Sequence, residues 1–368
     1  MGTTITKIAG FTKQGSGALL PALLLAGCAT VGEAPKPYLP ATDVAALAET
    51  APVGTSRADA ADDPAIWRNA ADPAASLIVG TDKKAGLYVY GLDGQVRDFK
   101  PAGALNNTDL REVRMADGST RILVGASDRT DLAEPRIALF ALDGATGKLT
   151  ALGAEAFLPA GHAPAEAYGF CMGGPLASGE LARAYVVLKD GTVAESRLVE
   201  RAGKIVPEHL RDVKFATQSE GCVVDDAART LYVAEEDAGI WRVPLAAEAL
   251  AGEAYARVGA EDGLVDDVEG LAIARDARGR AWLVASSQGD NAYVLFDLAT
   301  GRPAGRFRIN GGAIDGTSDT DGIEAILGDF GSNFPEGLFV AQDGNNAPEA
   351  QNFKLLSWQA IRTALGIK

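Results

Sequence analysis

From about residue 55 onward the chain alternates short apolar runs with breaks of small, polar and glycine residues, and helical periodicity is scarce. One pattern recurs: an apolar run centred on a valine, then small and polar residues. It occupies 77–82 (LIVGTD), 122–128 (ILVGASD), 185–190 (YVVLKD), 231–236 (LYVAEE), 282–287 (WLVASS) and 338–343 (LFVAQD). The central valines are Val79, Val124, Val187, Val233, Val284 and Val340. Six copies at a spacing of roughly fifty residues predict an all-β, six-bladed β-propeller. Further strands follow the repeated runs at 86–94 and 136–144, each ending in an Asp-Gly hairpin signal, and at 292–297. A β-sandwich shares such strand spacing, but the count of six favours the propeller. In a propeller, loops from every blade reach one channel mouth, so residues far apart in sequence can meet there.

Composition adds a compartment. With 47% hydrophobic residues, 43 Gly and 17 Pro, the chain is that of a globular protein rich in turns. The net charge of -15 and the lack of any basic run argue against a nucleic-acid partner, and no protein partner is implied. Lys7 and Lys13, the apolar stretch 18–25 and the sequence Leu25-Ala26-Gly27-Cys28 resemble a bacterial lipoprotein signal, with Cys28 as the lipidated residue. An ordinary cleaved signal is the alternative, and either exports the protein. The expected organisation is a leader at 1–28, a tether at 29–52 containing Pro35, Pro37, Pro40 and Pro52, and a propeller at 53–368. The expected location is the cell envelope, as an outer-membrane lipoprotein or a periplasmic or extracellular protein. A disulfide between Cys171 and Cys222 is permitted there, but the reading favours two small buried apolar residues.

Acids and amides gather where the repeated strands end: Asp62-Asp63-Pro64, Asn106-Asn107-Thr108-Asp109, Glu220, Glu235-Glu236-Asp237, Asp266-Asp267-Val268-Glu269, Gln288, 315–321, and Asp343-Gly344-Asn345-Asn346. Oxygen donors in irregular loops suit Ca²⁺, which accepts six to eight of them. Lys83, Lys84, Arg129 and Lys189 stand at the same strand ends as candidate phosphate donors. With only two histidines, His162 and His209, and no motif around either, histidine phosphatases and zinc hydrolases lack their parts. The chain contains neither a G-x-S-x-G elbow nor a P-loop.

The strings ADDPAIW (61–67), GTDKKAGLYVY (80–90), NNTDLR (106–111), YGF (168–170), EGCVVDD (220–226), LYVAEEDAGIW (231–241), DVEGL (267–271), ASSQGDN (285–291), DGTSDTDGIE (315–324) and GLFVAQDGNN (337–346) resemble, in order and spacing, the β-propeller phytases, a calcium-dependent alkaline phytase family. The resemblance runs from about residue 55 to about 361. It implies a six-bladed propeller that releases phosphate stepwise from myo-inositol hexakisphosphate (phytate, or its calcium complex), a 3-phytase-type activity using several calcium ions. Carried over residue by residue, it implies catalytic calcium held by Asp62, Glu220, Glu236, Asp267, Glu269 and Gln288. Lys83, Arg129, Tyr168 and Lys189 would contact the phosphate being cleaved, and Lys84 would help hold a neighbouring one. Asp63, Pro64 and Thr108 would bind a structural calcium; Asp315, Asp343, Asn345 and Asn346 match the region of another, and Asp321 lies close to the site. Asn345 stands where the family commonly has an acid, and Asp128 stands where it commonly has Asn. A lactonase-like hydrolase or a non-catalytic scaffold are the rival readings, and neither needs the cluster of Lys and Arg.

Overall fold

The computed structural model describes residues 38–56 and 59–368. Six sheets, each built on four antiparallel strands, surround a channel. Blade 1 comprises strands Ala61–Trp67, Leu77–Asp82, Gly86–Gly91 and Val96–Pro101, and blade 2 comprises Leu105–Arg114, Thr120–Asp128, Arg136–Leu142 and Leu149–Ala156. Blade 3 runs Ala167–Gly173, Ala182–Leu188, Thr192–Arg201 and Lys204–Lys214, and blade 4 Ser219–Asp225, Thr230–Glu235, Gly239–Pro244 and Glu253–Arg257. Blade 5 runs Val268–Arg275, Ala281–Ser287, Ala292–Asp297 and Arg302–Ile309; blade 6 contains Ile323–Leu327, Gly337–Asp343 and Asn352–Ser357. The first strand of each blade lines the channel. The protein is thus the six-bladed β-propeller its repeat predicts.

The six repeated valines all fall on the second strand of a blade, and all are fully buried. Both faces of that strand are covered, one by each neighbouring blade, which is why these stretches read as nearly continuous apolar runs rather than alternating ones. The core accordingly consists of apolar clusters between successive blades: Val79 and Val89 pack with Val124 and Phe140, and Val284 packs with Phe339.

The ring closes differently from the expected boundary at residue 53. Ala48–Glu49 pairs antiparallel with Asn352–Ser357 as the fourth strand of blade 6, and Thr42–Val44 adds a parallel edge strand to blade 5. The later part of the presumed tether is therefore propeller. Its Pro and Ala content hides two strands of three and two residues that exist only because a sheet edge is there to accept them. The leader, Cys28 and the tether up to residue 37 lie outside the described residues. Among the described residues no helix is long and apolar enough to cross a membrane.

Candidate active site

The site begins with a repeated irregularity. In blades 1 to 5 the channel strand loses register with its neighbour near its start: between Ala61 and Pro64, Leu105 and Thr108, Ala167 and Gly169, Ser219 and Cys222, and Val268 and Leu271. Each is a β-bulge, which re-aims a side chain that regular pleating would bury. The re-aimed residues are Asp62, Asn106, Tyr168, Glu220 and Glu269. In blade 6 the pair Asp321-Gly322 stands at the same place, with the Gly322 N–H donating to the Asp62 carbonyl at 3.0 Å. One side chain per blade thus meets at one channel mouth.

Four of these residues are followed by glycine: Gly169, Gly221, Gly270 and Gly322. A Cβ on any of them would collide with the next blade, at the carbonyl of Glu220, Glu269, Asp321 or Asp62 respectively. The glycines let adjacent blades approach closely and so draw the ring tight. In blades 1 and 2 the corresponding positions hold Asp63 and Asn107.

The ring is crowded with negative charge. Glu220, Glu236 and Glu269 each present a carboxylate oxygen within 4.8 Å of the others'. Lys83, with its side chain 6% exposed, places Nζ 2.8 Å from Asp62 Oδ2, 3.0 Å from Asp321 Oδ2 and 2.7 Å from Asp59 Oδ1. Burial opposes its charge, but Asp62 and Asp321 hold the ammonium firmly protonated. Burial first, and the Asp62 carboxylate next, push Glu220 well up; Glu269 rises for the same reason, with Glu220 as its nearest like charge. Asp321 is pushed up to about 7 by burial and Asp62 against the pull of Lys83. Glu236 is raised by burial, with the Gln218 amide opposing. Of the five ring carboxylates only Asp62 and Asp321 pair with the buried ammonium, and Glu269 Oε2 has no hydrogen-bond partner. An oxygen-only donor set with excess negative charge fits hard divalent cations such as Ca²⁺.

Amides fix the acids. Asn106 Nδ2 donates to Glu220 Oε1, Gln218 Nε2 to Glu236 Oε1 and Gln288 Nε2 to Asp321 Oδ1, each at 2.7 Å. Adjacent Glu235 turns the other way, buried and accepting from Thr217 N–H and Oγ1 and from Trp241 Nε1, so it shapes its turn while Glu236 faces the mouth. Asp267, at φ +70, donates its N–H to the Glu236 carbonyl and borders the same cavity of about 400 Å³.

On one side of this cavity Tyr168 carries the cations. Lys189 Nζ sits 4.7 Å from its ring centroid and Arg129 Cζ 5.7 Å, with Arg129 Nη1 held by Glu166 at 2.7 Å. Burial and the facing Glu220 carboxylate keep the phenol protonated. Lys84 is exposed beside Lys83, its N–H donating to Asp82 Oδ1. Asp128 accepts the Thr130 N–H and so caps the loop that carries Arg129.

The two remaining predicted groups lie elsewhere. Asp63 is buried below the ring, where burial raises its carboxyl while the Thr108 N–H, 3.0 Å from Oδ2, opposes the rise. It borders a channel cavity of about 340 Å³ with Pro64 and Thr108, whose hydroxyl is committed to the Gly125 carbonyl. Asp315 and Asn346 converge on the buried ammonium of Lys354 at 2.5 and 3.1 Å, with Asp343 at 3.3 Å and Glu49 at 2.6 Å. Three carboxylates around one lysine leave two negative charges, and the fully buried Asp343 Oδ2 has only the long 3.3 Å contact to Lys354, so this cluster also fits a divalent cation. Asn345 is exposed at its edge.

Sequence reasoning counted Asn106 only among the oxygen-donor stations and gave no role to Gln218, Asp59, Glu166 or Glu49. A usable signal for the ring was present: the recurring Tyr-Gly, Glu-Gly, Glu-Gly and Asp-Gly pairs at the start of channel strands. The cysteine expectation is corrected. Cys171 and Cys222 are buried but bonded to each other, with Cα atoms 5.7 Å apart, because the channel strands of blades 3 and 4 bring together positions 51 residues apart.

Fold and site together define a propeller hydrolase that sets clustered carboxylates beside cationic side chains at one channel mouth. The phytase family profile matches residues 16–368, and the chain belongs to that family. It is 38% identical over 332 residues to the 3-phytase of Bacillus subtilis (strain 168), covering 88% of this chain and 85% of the relative. A solved chain from a structure described as "Crystal Structure of Mitotic Checkpoint Complex" matches 93% of this chain and 87% of its own at 13% identity with a TM-score of 0.47, a likeness too slight to bear on function.

Proposed function

We propose that the protein is a calcium-dependent phosphomonoester hydrolase that releases phosphate stepwise from phytate by in-line attack of water. The observation that carries this reading is the convergence of Glu220, Glu236 and Glu269 within 4.8 Å beside Lys83 and the Tyr168 cation pair. Asp62, Glu220, Glu236, Asp267, Glu269 and Gln288 would hold calcium, which when bound screens phosphate from the carboxylates and acidifies water. Phosphoryl transfer rests on positioning and charge stabilisation more than on a protein nucleophile. Lys83, Arg129 and Lys189 donate to the equatorial oxygens as charge develops, and Tyr168, kept protonated, presents a phenol O–H. Lys84, free to swing, reaches a neighbouring phosphate of the same substrate. Asp63 with the Pro64 and Thr108 carbonyls, and Asp315, Asp343 and Asn346 with Glu49, hold structural ions.

The leader supports an envelope location with a lipid on Cys28, and the disulfide suits an oxidising compartment. The discriminating experiment measures phosphate release from phytate and from an aryl phosphate, and opening of a lactone, with calcium and with chelator. Calcium-dependent release from phytate, outpacing the other two, is expected. Equal phytate turnover in chelator refutes the calcium reading. Loss of fatty-acid labelling at Cys28→Ala tests the anchor.

A further inference from the structure

Blades 3 and 4 each contribute one ring residue, Tyr168 and Glu220, whose side chains face one another. Cys171 follows Tyr168 by three positions and Cys222 follows Glu220 by two, so the disulfide lies on the same two channel strands just below the ring. Other junctions are tied at this level by hydrogen bonds. Gly322 N–H reaches the Asp62 carbonyl between blades 6 and 1, and Gly270 N–H the Asp321 carbonyl between 5 and 6. Thr108 N–H reaches Asp63 between 1 and 2, and the Ser127 hydroxyl the Tyr168 carbonyl between 2 and 3. At the junction of blades 3 and 4, Gly174 N–H donates to Asp226 at the far end, the Tyr168 phenol meets the Glu220 carboxylate at the ring, and the disulfide ties the two strands between these contacts. Gly169, beside Tyr168, has no room for a Cβ against the Glu220 carbonyl, so the strands approach closely where the two ring residues sit.

We propose that the Cys171–Cys222 disulfide is a positioning element for the active site, holding Tyr168 and Glu220 at the spacing that cation binding and phosphate cleavage require, so that both depend on the thiol–disulfide state of the protein. The inference rests on the hydrolase reading above for its kinetic consequence, but the calcium-binding readout does not. A two-electron reduction by an external dithiol opens the bond to two thiols while the dithiol becomes its own disulfide. The blades then stay packed through their apolar faces, whereas the ring loses its covalent tie.

The test uses the full mature chain in three forms: oxidised wild type, wild type reduced with excess dithiol under native conditions, and Cys171→Ala/Cys222→Ala. Calcium binding is measured by calorimetry, kcat and KM on phytate by phosphate release, and fold by circular dichroism and melting. The reduced and substituted proteins are expected to keep the β spectrum, to need at least about fivefold more calcium for half-saturation, and to lose about tenfold in kcat with KM little changed. Reductant is expected to leave the double variant unaffected. A lowered melting temperature with unaltered calcium half-saturation and kcat overturns the proposal, making the bond a staple only. Loss of fold in both altered forms overturns it likewise, and so does a peptide map finding both thiols free in the native protein. Oxidised wild type that binds calcium but does not cleave phytate refutes the hydrolase reading and leaves the calcium arm to decide this one.

Discussion

Replacing Lys83 with Met removes the one buried cation from between Asp62 and Asp321, and the consequence can be worked from the contacts. Asp62 is 1% exposed and Asp321 has a side chain 16% exposed, so neither carboxylate recovers much hydration when the ammonium is lost. Breaking a buried ion pair from one side costs about 3–5 kcal/mol. Asp59, 67% exposed, adds less than about 1 kcal/mol. At about 2 °C per kcal/mol for a chain of this size, melting in chelator at pH 8 should fall by about 6–10 °C. The sign of the pH dependence follows from Asp321. Its carboxyl is already pushed up to about 7 with Lys83 present, and loses that opposing charge in the variant. At pH 6 it takes up a proton and relieves the repulsion, so the deficit should shrink on acidification. Calcium should also shrink it, because a cation that takes the place of the lost ammonium binds the variant more tightly than wild type, and occupancy at a hundredfold excess over Kd stabilises a native state by about 2.7 kcal/mol. Calorimetric melting of wild type and Lys83→Met at pH 6 and 8, in chelator and in calcium, reads all four values. A variant within about 1 °C of wild type in chelator at pH 8 would refute the claim that Lys83 neutralises this cluster.

Glu236→Gln should lower turnover on phytate by about a hundredfold or more while raising melting in chelator slightly, because it removes one of several mutually repelling carboxylates. Wild-type turnover by that variant would sink the assignment. Metal-free wild type should itself lose stability as pH rises from about 4 to about 7. A carboxyl whose folded pKa exceeds its unfolded one stabilises below the unfolded value and ceases to do so above the folded one. Saturating calcium should flatten that slope, and chemical denaturation across the range measures it. Gly322→Ala should cost about 1–3 kcal/mol and weaken calcium binding, because its Cβ collides with Asp63 and the Asp62 backbone. Gly174→Ala, where the nearest atom would be 3.5 Å away, serves as the control and should be nearly silent in both measurements.

What the sequence carried and what it hid divide along one physical line. The buried second strands were legible because each is covered on both faces, and its apolar run is complete within six or seven residues of chain. Strand alternation puts Glu235 and Glu236 on opposite sides, and the family resemblance named Glu236 as the one at the mouth. The closing strands could not be read, since Thr42–Val44 and Ala48–Glu49 take their pairing from partners some three hundred residues away. The same holds for Asn106 on Glu220 and for Lys83 on Asp321, pairs separated by 114 and 238 residues. An amide that orients an acid leaves no local trace unless the acid is nearby. Gln218 and Glu236, only 18 residues apart, form a similar pair that strand spacing alone did not single out.

The bulges and glycines explain how a fold with ordinary blades assembles so much charge in one place. A regular channel strand alternates its side chains between two packed faces, where an unpaired carboxylate is costly. One extra residue at the strand's start turns a side chain out of that alternation and into the mouth. The glycine after it, in blades 3 to 6, lets the next blade close against the main chain, so that Glu220 and Glu236 of blade 4 come within 4.8 Å of Glu269 of blade 5 rather than lining a wide rim. The tightness has a cost, visible in the raised carboxyls of Glu220, Glu269 and Asp321. On the calcium reading proposed above it would also set the chemistry, because a cluster that repels itself when empty favours a divalent cation and, once neutralised, would admit a polyphosphorylated substrate that the bare carboxylates exclude. Stability and activity are therefore coupled through the same side chains, and a substitution that relaxes the empty ring should weaken the loaded one.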